Sequence, residues 1–397
     1  MAYDFDTVPE RKNTNCLKYD AALKRKGRDD LLPLWVADMD FKLPEEVLAD
    51  LHKAVDHGIF GYSFPGDEFY EAVRSWYARR FNWQTKREWM IQTPGVVFAL
   101  GVAIQAYSEP GDGVLIQQPV YYPFAHIIKN NDRVLVNNEL VYARGSYHIN
   151  LDDFEKQIVD NKVKVFILCN PHNPVGRVWT KEELLHMGAI CKKHGVIVVS
   201  DEIHSDFVYP GHTHHVFDTL DESFREFSII CTAPSKTFNL AGLQIANIFI
   251  ADGSLRRKYW SVLKKLGYDG VNTMALIANQ AVYTKGEPWL KEMQTYLQGN
   301  LDFTREYLKE HLPQIKLIEP EGTYLVWLDC SALGFTGDGL DDFMIDKAHL
   351  WLDAGTLFGE NSDQFERINL ACPRSIVKQC LDQLKQAVED FSRIHMK

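Results

Sequence analysis

The length, composition and charge of the chain are those of an ordinary water-soluble globular protein, and they exclude several other classes. At 397 residues the chain exceeds the size of one typical hydrophobic core, so we expect two domains. Its residues are 46% hydrophobic and 24% charged, as in most globular proteins. The formal net charge of −11, with no basic run to offset it, argues against nucleic-acid binding.

The cysteines and the N-terminal residues indicate a cytoplasmic location. Seven cysteines are scattered along the chain without any C-x-x-C spacing, which is typical of reduced, mostly buried thiols. The polar and acidic start over residues 1–6 differs from a signal peptide, and no apolar stretch approaches the length of a membrane span. We therefore predict a cytoplasmic protein that does not bind a membrane.

Hydrophobic periodicity predicts helices first and then an alternation of strands and helices. The early helices are predicted over residues 44–55 and 68–81, with a glycine- and aromatic-rich turn between them. From about residue 90 the predicted elements are a glycine turn opening an apolar helix (93–104), a helix (182–193) and five short strands (114–117, 163–169, 196–200, 228–231 and 245–251). This alternation indicates a mostly parallel sheet with helices on both faces.

After Tyr259 long helical segments dominate and a few strand-like runs are mixed among them. The predicted helices cover residues 273–283, 288–311 and 375–394, and the strand-like runs cover 323–328 and 365–370. This mixture predicts a smaller α+β domain, to which the first residues of the chain return. We place the large domain at residues 46–285 and the small domain at residues 1–45 plus 286–397.

Polar side chains with distinct chemistry follow three of the predicted strands. Asn173 lies in a double Asn-Pro turn, Asp201 follows the next strand, and Lys236 follows the one after that. The glycine turn at Thr93–Val97 leads into a helix N-terminus, where free N–H groups hold anions. The carboxyl ends of parallel strands meet at one edge of a sheet. We therefore expect the amine, the carboxylate and the amide to lie close together there, beside a helix N-terminus that can bind a phosphate.

These groups are the ones that pyridoxal phosphate needs. A lysine holds the aldehyde as an imine, and a carboxylate keeps the pyridine nitrogen protonated. An amide steadies the ring oxygen, a helix N-terminus with hydroxyls holds the phosphate, and an aromatic side chain covers the ring. Tyr121 and Tyr122, which follow another strand, are the candidates for that cover. The sequence thus predicts a pyridoxal-phosphate site around Lys236.

The same motifs carry a family resemblance over nearly the whole chain. Asn173, Asp201 and Lys236 have the order of the fold-type I, pyridoxal-phosphate-dependent aminotransferase superfamily (class I/II), with spacings of 28 and 35 residues. More narrowly, the chain resembles the MalY/PatB group of cystathionine β-lyases, which are carbon–sulfur lyases. The motifs that support this are 34–41 (LWVADMDF), 60–62 (FGY), 93–97 (TPGVV), 170–176 (NPHNPVG), 201–204 (DEIH), 235–242 (SKTFNLAG) and 367–374 (RINLACPR).

The resemblance implies an α/β fold with a mostly parallel seven-stranded sheet in the large domain. It also implies that Lys236 binds the cofactor aldehyde and later acts as base, while Asp201 pairs with the ring nitrogen. Asn173 would bond the ring oxygen and Tyr121 would stack on the ring. The other cofactor-binding residues implied are Gly95, Val96, Val97, Ser235, Thr232, His204 and, from the neighbouring subunit, Tyr62. A homodimer is therefore part of the prediction.

For the substrate, the resemblance implies that Arg367 clamps the carboxylate through two parallel hydrogen bonds, with help from the backbone of Ala37. Tyr122 and Asn173 complete the implied substrate contacts. Two positions differ from the better-known aminotransferases: His204 replaces a tyrosine, and Gln244 replaces an arginine that binds phosphate. Both differences favour the lyase group, and the second leaves more of the phosphate to backbone amides and hydroxyls.

Each candidate residue also has a structural alternative. Arg374 competes with Arg367 for the carboxylate, and Arg367 could equally form a structural ion pair. The remaining alternatives are a helix cap (Asp201), a turn former (Asn173), core aromatics (Tyr121, Tyr122) and an ordinary loop tyrosine (Tyr62). The histidines His204, His212, His214 and His215 match no zinc motif, so we predict no metal site.

Three functions remain open at this point. The favoured one is β-elimination from L-cystathionine or related cysteine S-conjugates, giving a thiol (homocysteine from cystathionine), pyruvate and ammonia. An aminotransferase would use the same residues, so only His204, Gln244 and the 34–41 motif favour the lyase. A lyase with a second, regulatory role in protein binding is the third possibility.

Overall fold

The computed structural model describes residues 2–395. The α-helices are α1 (Leu17–Asp20), α2 (Ala22–Lys26), α3 (Glu45–His57), α4 (Asp67–Phe81), α5 (Val96–Tyr107), α6 (Pro123–Lys129), α7 (Leu151–Asp160), α8 (Lys181–His194), α9 (Pro234–Thr237), α10 (Gly253–Lys265), α11 (Thr273–Lys285), α12 (Glu287–His311), α13 (Gly339–Asp346) and α14 (Arg374–His395). Short 3₁₀ turns occur at Arg87–Trp89, Phe217–Thr219, Glu222–Glu226, Ala241–Leu243, Ser331–Leu333 and Gly355–Leu357.

Strands form one large sheet, one smaller sheet and two short pairs. The strands are β1 (Leu32–Pro33), β2 (Met90–Thr93), β3 (Gly113–Ile116), β4 (Val134–Asn137), β5 (Val141–Ala143), β6 (Ser146–His148), β7 (Val163–Cys169), β8 (Ile197–Asp201), β9 (Ser228–Thr232), β10 (Ala246–Phe249), β11 (Lys316–Ile318), β12 (Leu325–Asp329), β13 (Leu350–Trp351), β14 (Asp353–Ala354) and β15 (Phe365–Asn369).

The large sheet has seven strands in the order β2-β10-β9-β8-β7-β3-β4. Strands β9, β8, β7, β3 and β4 run parallel, and β10 is antiparallel to both of its neighbours. The predicted α/β fold with a mostly parallel seven-stranded sheet is therefore confirmed. The sequence pattern had revealed five of these strands and missed β2 and β4, the two edge strands of only four residues each.

The central strands form because their residues are apolar on both faces. In β7 the side chains of Phe166 and Leu168 enter one core, while those of Val165 and Ile167 enter the core on the opposite face. Such two-sided burial is the rule for parallel strands covered by helices. The polar residues that directly follow these strands are therefore attached to strands that are buried on both faces.

The residues after α12 build the smaller sheet, which is antiparallel in the order β11-β12-β15-β14. A separate core lies beneath it and includes Leu308, Val326, Ile368 and Leu381. Strand β1 pairs with β13, which ties the early residues to this C-terminal part. The segment of residues 34–41 then runs from this sheet towards the carboxyl edge of the large one.

Two findings bear on the environment of the protein. Among residues 2–395, none of the helices has both the length and the apolar character needed to cross a bilayer. All seven cysteines are free thiols, and all except Cys16 are buried.

Candidate active site

A cavity of about 420 Å³ lies at the carboxyl ends of β7, β8 and β9. This is the edge at which open α/β sheets bind ligands. Ten of the predicted site residues line it together, namely Ala37, Gly95, Val96, Val97, Tyr121, Asn173, Asp201, His204, Ser235 and Lys236. The structure thus gathers residues that lie up to 199 positions apart in the chain.

Lys236 projects from the short helix α9, directly after β9. Its ammonium Nζ donates a hydrogen bond of 2.7 Å to the backbone carbonyl of Ala37. Burial, assisted by the nearby positive charge of Arg367, lowers the pKa of Lys236 to about 8. A lysine with such a pKa has a neutral fraction near pH 7 and can act as a nucleophile or a base.

Asp201 is the last residue of β8, and its buried side chain accepts a hydrogen bond of 3.1 Å from the N–H of Ile203. Burial raises the pKa of Asp201 to about 7, although the Ile203 hydrogen bond and Lys236 act in the opposite direction. Among the described residues no cation forms an ion pair with this carboxyl group. A protonated ring nitrogen is a partner that would suit it.

Asn173 links the sheet edge to the opposite wall of the cavity. Its Oδ1 accepts a hydrogen bond of 3.0 Å from Arg367, and its backbone carbonyl accepts one from the N–H of Tyr121. Because the side-chain oxygen is occupied by Arg367, the amide group of Asn173 keeps its N–H donors for another acceptor. This orientation is the one needed to donate to the ring oxygen of the cofactor.

The other end of the cavity is an anion seat. Gly95 precedes α5, and Val96 and Val97 are the first residues of that helix, where N–H groups have no partner within the helix. Ser235 and Gln244 also line this end. Among the described lining residues no arginine is present here, so backbone and neutral side chains form the seat.

Two further residues line the cavity: His204 is buried and Tyr121 is half-buried. His204 lines it, and its Nδ1 has no hydrogen-bond partner among the described residues. Burial keeps the pKa of His204 well below its usual value, with Lys236 and Arg367 acting in the same direction, so the ring is neutral. Tyr121 lies against Tyr122, with ring centroids 5.5 Å apart.

Four predicted residues do not line the cavity. The hydroxyl of Thr232 instead donates to the carbonyl of Asn247 at 2.8 Å, which leaves it buried behind the site. Tyr62 is fully exposed in the extended stretch between α3 and α4. Tyr122 packs edge-on against Phe358, while Arg367 touches the cavity through Asn173.

Arg367 is buried in β15 and makes several contacts. Beside its bond to Asn173, it donates to the carbonyl of Trp35 at 2.7 Å and forms an ion pair with Asp353 on the neighbouring strand β14. The competing Arg374 bonds to Asn300 and stacks on aromatic rings, away from the cavity lining. The geometry therefore favours Arg367 over Arg374 as the carboxylate-binding residue.

Asp353 and Tyr324 are site residues that the sequence analysis missed. The hydroxyl of Tyr324 donates to the Ala37 carbonyl at 3.0 Å, on the same oxygen that Lys236 contacts. Neither residue belongs to a motif with local chemistry. Asp353 reaches Arg367 only because two antiparallel strands pair in register, which no spacing in the sequence reveals.

The segment of residues 34–41 is fixed from its outer side by a charged cluster. Lys18 is buried and forms an ion pair of 2.7 Å with Asp40, while Arg11 contacts Asp38 at 2.6 Å. Tyr19 adds a hydrogen bond to Asp40. The N-terminal residues thus hold the wall that faces Lys236.

The histidine-rich stretch does not form a metal site in the described part of the chain. Inside the protein, Nε2 of His214 donates a hydrogen bond of 2.9 Å to the carboxylate of Glu202, whereas His204 lines the cavity. Among residues 2–395 no group of three or more potential ligands is arranged to hold a metal ion.

The residues present fit pyridoxal phosphate. The cavity is lined by a helix N-terminus that can hold an anion, by a buried carboxyl group that forms no ion pair with a described residue, and by a half-buried amine. It also leaves one buried ring nitrogen of His204 without a partner. A group with a phosphate at one end and a basic ring nitrogen at the other matches these charged and hydrogen-bonding side chains and backbone groups.

Comparison with known proteins gives a consistent result. The family model "Aminotransferase class I and II" matches residues 29–384. The chain is 43% identical to the cystathionine beta-lyase PatB of Bacillus subtilis (strain 168), over 97% of this chain and 100% of that protein. It is 32% identical to the protein MalY of Escherichia coli (strain K12), over 97% and 99% of the two chains.

Among solved structures, cystalysin from Treponema denticola, which contains a pyridoxal 5'-phosphate cofactor, has a TM-score of 0.95. It is 38% identical, and the match covers 98% of this chain and 100% of cystalysin. The resemblance predicted from the motifs is confirmed: the chain belongs to the aminotransferase class I and II family, in the group that includes PatB and MalY.

Proposed function

We propose that this chain is a pyridoxal-phosphate-dependent carbon–sulfur lyase. It catalyses β-elimination from L-cystathionine or a related cysteine S-conjugate and releases a thiol, pyruvate and ammonia. The observation that carries the proposal is the half-buried Lys236, with its lowered pKa, in the same cavity as the buried Asp201. The similarity to PatB, which is named a cystathionine beta-lyase, supports elimination as the outcome.

The cofactor is pyridoxal phosphate, and when bound it supplies an electron sink conjugated to the substrate Cα. Lys236 would hold its aldehyde carbon, Asp201 its ring nitrogen and Asn173 its ring oxygen. Tyr121 would cover the ring, and His204 would lie beside it. The phosphate would be held by the amides of residues 95–97 and by Ser235. Thr232 is a weaker candidate because its hydroxyl is already bonded to Asn247.

Lys236 has two tasks in this proposal, and its environment suits both. Lys236 would release the cofactor to the incoming substrate amine, and the neutral amine so freed would remove the proton from the substrate Cα with Nζ. The carbonyl of Ala37 accepts a hydrogen bond from Nζ, so the amine has a defined position when it is free. Asp201, held in place by the N–H of Ile203, would keep a proton on the ring nitrogen.

Arg367 orients the substrate. Its guanidinium is fixed by Asn173, by the Trp35 carbonyl and by Asp353, so it binds a carboxylate without first having to be ordered. The backbone of Ala37 would help to bind the same carboxylate. The ring of Tyr122, the other implied substrate contact, packs edge-on against that of Phe358. Once the carboxylate is fixed, the orientation of the Cα–H and Cβ–Sγ bonds depends on the contacts of the rest of the substrate.

A homodimer completes the site in this proposal. Tyr62 would reach the phosphate of the partner subunit, which is consistent with its full exposure in a single chain. Its neighbours Ile59, Phe60 and Phe64 are also largely exposed, and such a run of apolar side chains is typical of a buried interface. A single-chain mass in solution would contradict this arrangement.

The division into a large domain (46–285) and a small domain (1–45 plus 286–397) remains part of the proposal, as does a cytoplasmic location. The two sheets, with a separate core beneath the smaller one, support the division. The seven free cysteines, six of them buried, suit a reducing compartment.

The test is a paired assay of the holoenzyme and its Lys236→Ala variant, with Lys265→Ala, an exposed lysine in α10, as the matched control. Pyruvate and thiol released from L-cystathionine are measured with and without an added keto acid, together with the visible spectrum. We expect equal amounts of both products without keto acid, a loss of at least about a thousandfold in K236A, and no change in K265A. Turnover only in the presence of keto acid would instead establish an aminotransferase.

A further inference from the structure

The backbone of residues 34–41 is held through its carbonyl groups in an unusual manner. Five successive carbonyls, from Trp35 to Met39, each accept at least one hydrogen bond from a side chain. The donors are Arg367 (to Trp35), Asn369 (to Val36 and Asp38), Lys236 and Tyr324 (to Ala37), and Asn239 and Arg11 (to Met39). Every peptide plane in this wall of the cavity is therefore fixed.

Asn369 holds two carbonyls of this segment at once, as Asn239 does with those of Met39 and Phe41. Its Nδ2 donates to the carbonyls of Val36 and Asp38, each at 2.6 Å. Its Oδ1 accepts a hydrogen bond of 2.8 Å from the N–H of Ala371, so the side chain has no rotational freedom left. It is buried at the end of β15, two residues after Arg367 and on the same face of that strand.

The position of the Val36 carbonyl determines where the next N–H points. A trans peptide unit is planar, and its C=O and N–H groups point in opposite directions. Because Asn369 draws the Val36 carbonyl to itself, the N–H of Ala37 is turned away from Asn369. Ala37 lines the cavity, and within the described residues no acceptor is recorded for its N–H.

A second donor beside this segment also lacks a partner. Arg367 bonds to the carbonyl of Trp35, yet its own Nε is buried without an acceptor in the described part of the chain. Buried N–H groups are mostly paired in proteins, and these two donors remain available to bind an anion. Two donors, one from the segment and one from the arginine that bonds to it, match in number the two oxygens of a carboxylate.

We propose that Asn369 is a positioning residue for the substrate carboxylate, because it sets the Val36–Ala37 peptide so that the Ala37 N–H and Arg367 face the same anion. The proposal rests on the proposed function and names the part of the substrate that this wall recognises, an α-carboxylate. A site built to hydrogen-bond one group discriminates strongly against an analogue that lacks it. Asn369 should therefore affect the preference for amino acids over simple amines, not the binding of amines in general.

The test uses the holoenzyme and two ligands that cannot undergo β-elimination. L-alanine carries the α-carboxylate, and ethylamine is the same molecule without it. The dissociation constant of each is measured by titration against the visible spectrum of the bound cofactor, and the ratio of the two constants reports carboxylate recognition. This readout requires no turnover.

The variants are Asn369→Ala and its matched control Asn300→Ala. Asn300 is also buried, and its Nδ2 likewise bridges two carbonyls two residues apart, those of Leu370 and Cys372, but it does not contact residues 34–41. Both substitutions remove the same groups from the interior. N369A releases the carbonyls of Val36 and Asp38, whereas N300A releases those of Leu370 and Cys372 and also removes the Oδ1 that accepts a hydrogen bond from Arg374. Both substitutions are neutral, so no new charge acts on the ligand.

We expect the preference for L-alanine over ethylamine to fall about tenfold or more in N369A and to stay unchanged in N300A. An unchanged preference in N369A, or an equal fall in N300A, would overturn the proposal. If N369A does not take up the cofactor, Asn369→Leu, which refills the space, is measured in the same way. Failure of both Asn369 variants to take it up, with N300A loading normally, would also overturn the proposal, since the role would then be structural.

A failure of the proposed function would look different. In that case the wild-type holoenzyme would release no thiol and pyruvate from L-cystathionine, whatever the ligand preference of the variants. The two conclusions can therefore be judged separately.

Discussion

The two walls of the cavity present different kinds of polar group. The wall at the edge of the large sheet offers side chains, since Asn173, Asp201 and Lys236 each follow a strand. The opposite wall is a stretch of backbone, residues 34–41, held in place by side chains from β15 and its surroundings. In the proposed function, the first wall would carry the acid–base groups, and the second would carry the groups that orient the substrate.

This difference has consequences for substitutions. A residue on the sheet edge acts alone, so removing its functional group removes the chemistry. A residue behind the backbone wall shares its task with several others, because one segment receives many hydrogen bonds. Single changes there should therefore have smaller effects, with Arg367 between the two extremes because it contacts both walls.

The largest effect is expected from Asp201→Asn on the sheet edge. The substitution keeps the shape but removes the charge that holds a proton on the ring nitrogen, so we expect kcat to fall by at least about a hundredfold. Steady-state assays of the cofactor-loaded variant measure this. A loss below about tenfold would show that the ring nitrogen does not need a charged partner here.

Asp201 also makes the stability of the cofactor-free protein depend on pH. Its pKa rises from 3.8 in the unfolded chain to about 7 in the folded one, so between these values the folded state holds a proton that the unfolded state has lost. The free energy of unfolding should therefore decrease as the pH rises from about 4 to about 7, by a few kcal/mol from this group. The difference between wild type and D201N in urea titrations at several pH values isolates the contribution, and a flat difference would contradict it.

An intermediate effect is expected from Arg367→Ala, which acts on both walls. The KM for L-cystathionine should rise about a hundredfold, because the substrate carboxylate loses its charged partner. The folded protein should also lose about 3–5 kcal/mol, since Asp353 is left buried without its ion-pair partner.

The double variant Arg367→Ala with Asp353→Ala separates these two roles. Removing both partners leaves no uncompensated buried charge, so part of the lost stability should return while the KM stays high. Recovery of the KM in the double variant would show that Asp353, and not Arg367, governs substrate binding. Urea unfolding and steady-state kinetics on the same preparations provide the comparison.

The same contrast between the walls explains how much of the molecule could be predicted from the sequence. The central strands and the helices around them were predictable because two-sided burial leaves apolar runs, as in β7. Asn173, Asp201 and Lys236 were predictable because each lies in a polar motif directly after such a run. The edge strands β2 and β4 were not, since they are short and contain polar residues at Gln92 and Asn137.

The backbone wall could be predicted only in part. The motif at residues 34–41 indicated the family, but not that its carbonyls are the groups held by other side chains. Tyr324 and Asp353 act through contacts with residues 287 and 14 positions away, and a hydrogen bond to a backbone carbonyl leaves no signature in the motif that receives it. Thr232 shows the opposite case, because its place beside the lysine motif suggested a role that its bond to Asn247 makes less favourable.

The smallest effect is expected from Tyr324→Phe on the backbone wall. The change removes one of the two hydrogen bonds to the Ala37 carbonyl and leaves the bond from Lys236. We expect kcat to fall only a few-fold and the free energy of unfolding to fall by about 1 kcal/mol. The matched control is Tyr283→Phe, which also removes a buried hydroxyl, one that contacts Tyr77 away from the cavity lining.

Kinetics and urea unfolding of the two tyrosine variants then test whether several hydrogen bonds jointly hold the backbone wall in position. Similar losses of stability, with a fall in kcat only for Y324F, would place the effect on Lys236 through the Ala37 carbonyl. A fall of a hundredfold or more would mean that the hydroxyl of Tyr324 touches the reacting atoms, which would make this wall as sensitive as the sheet edge. An unchanged kcat would mean that the remaining donors to residues 35–39 hold the segment without Tyr324.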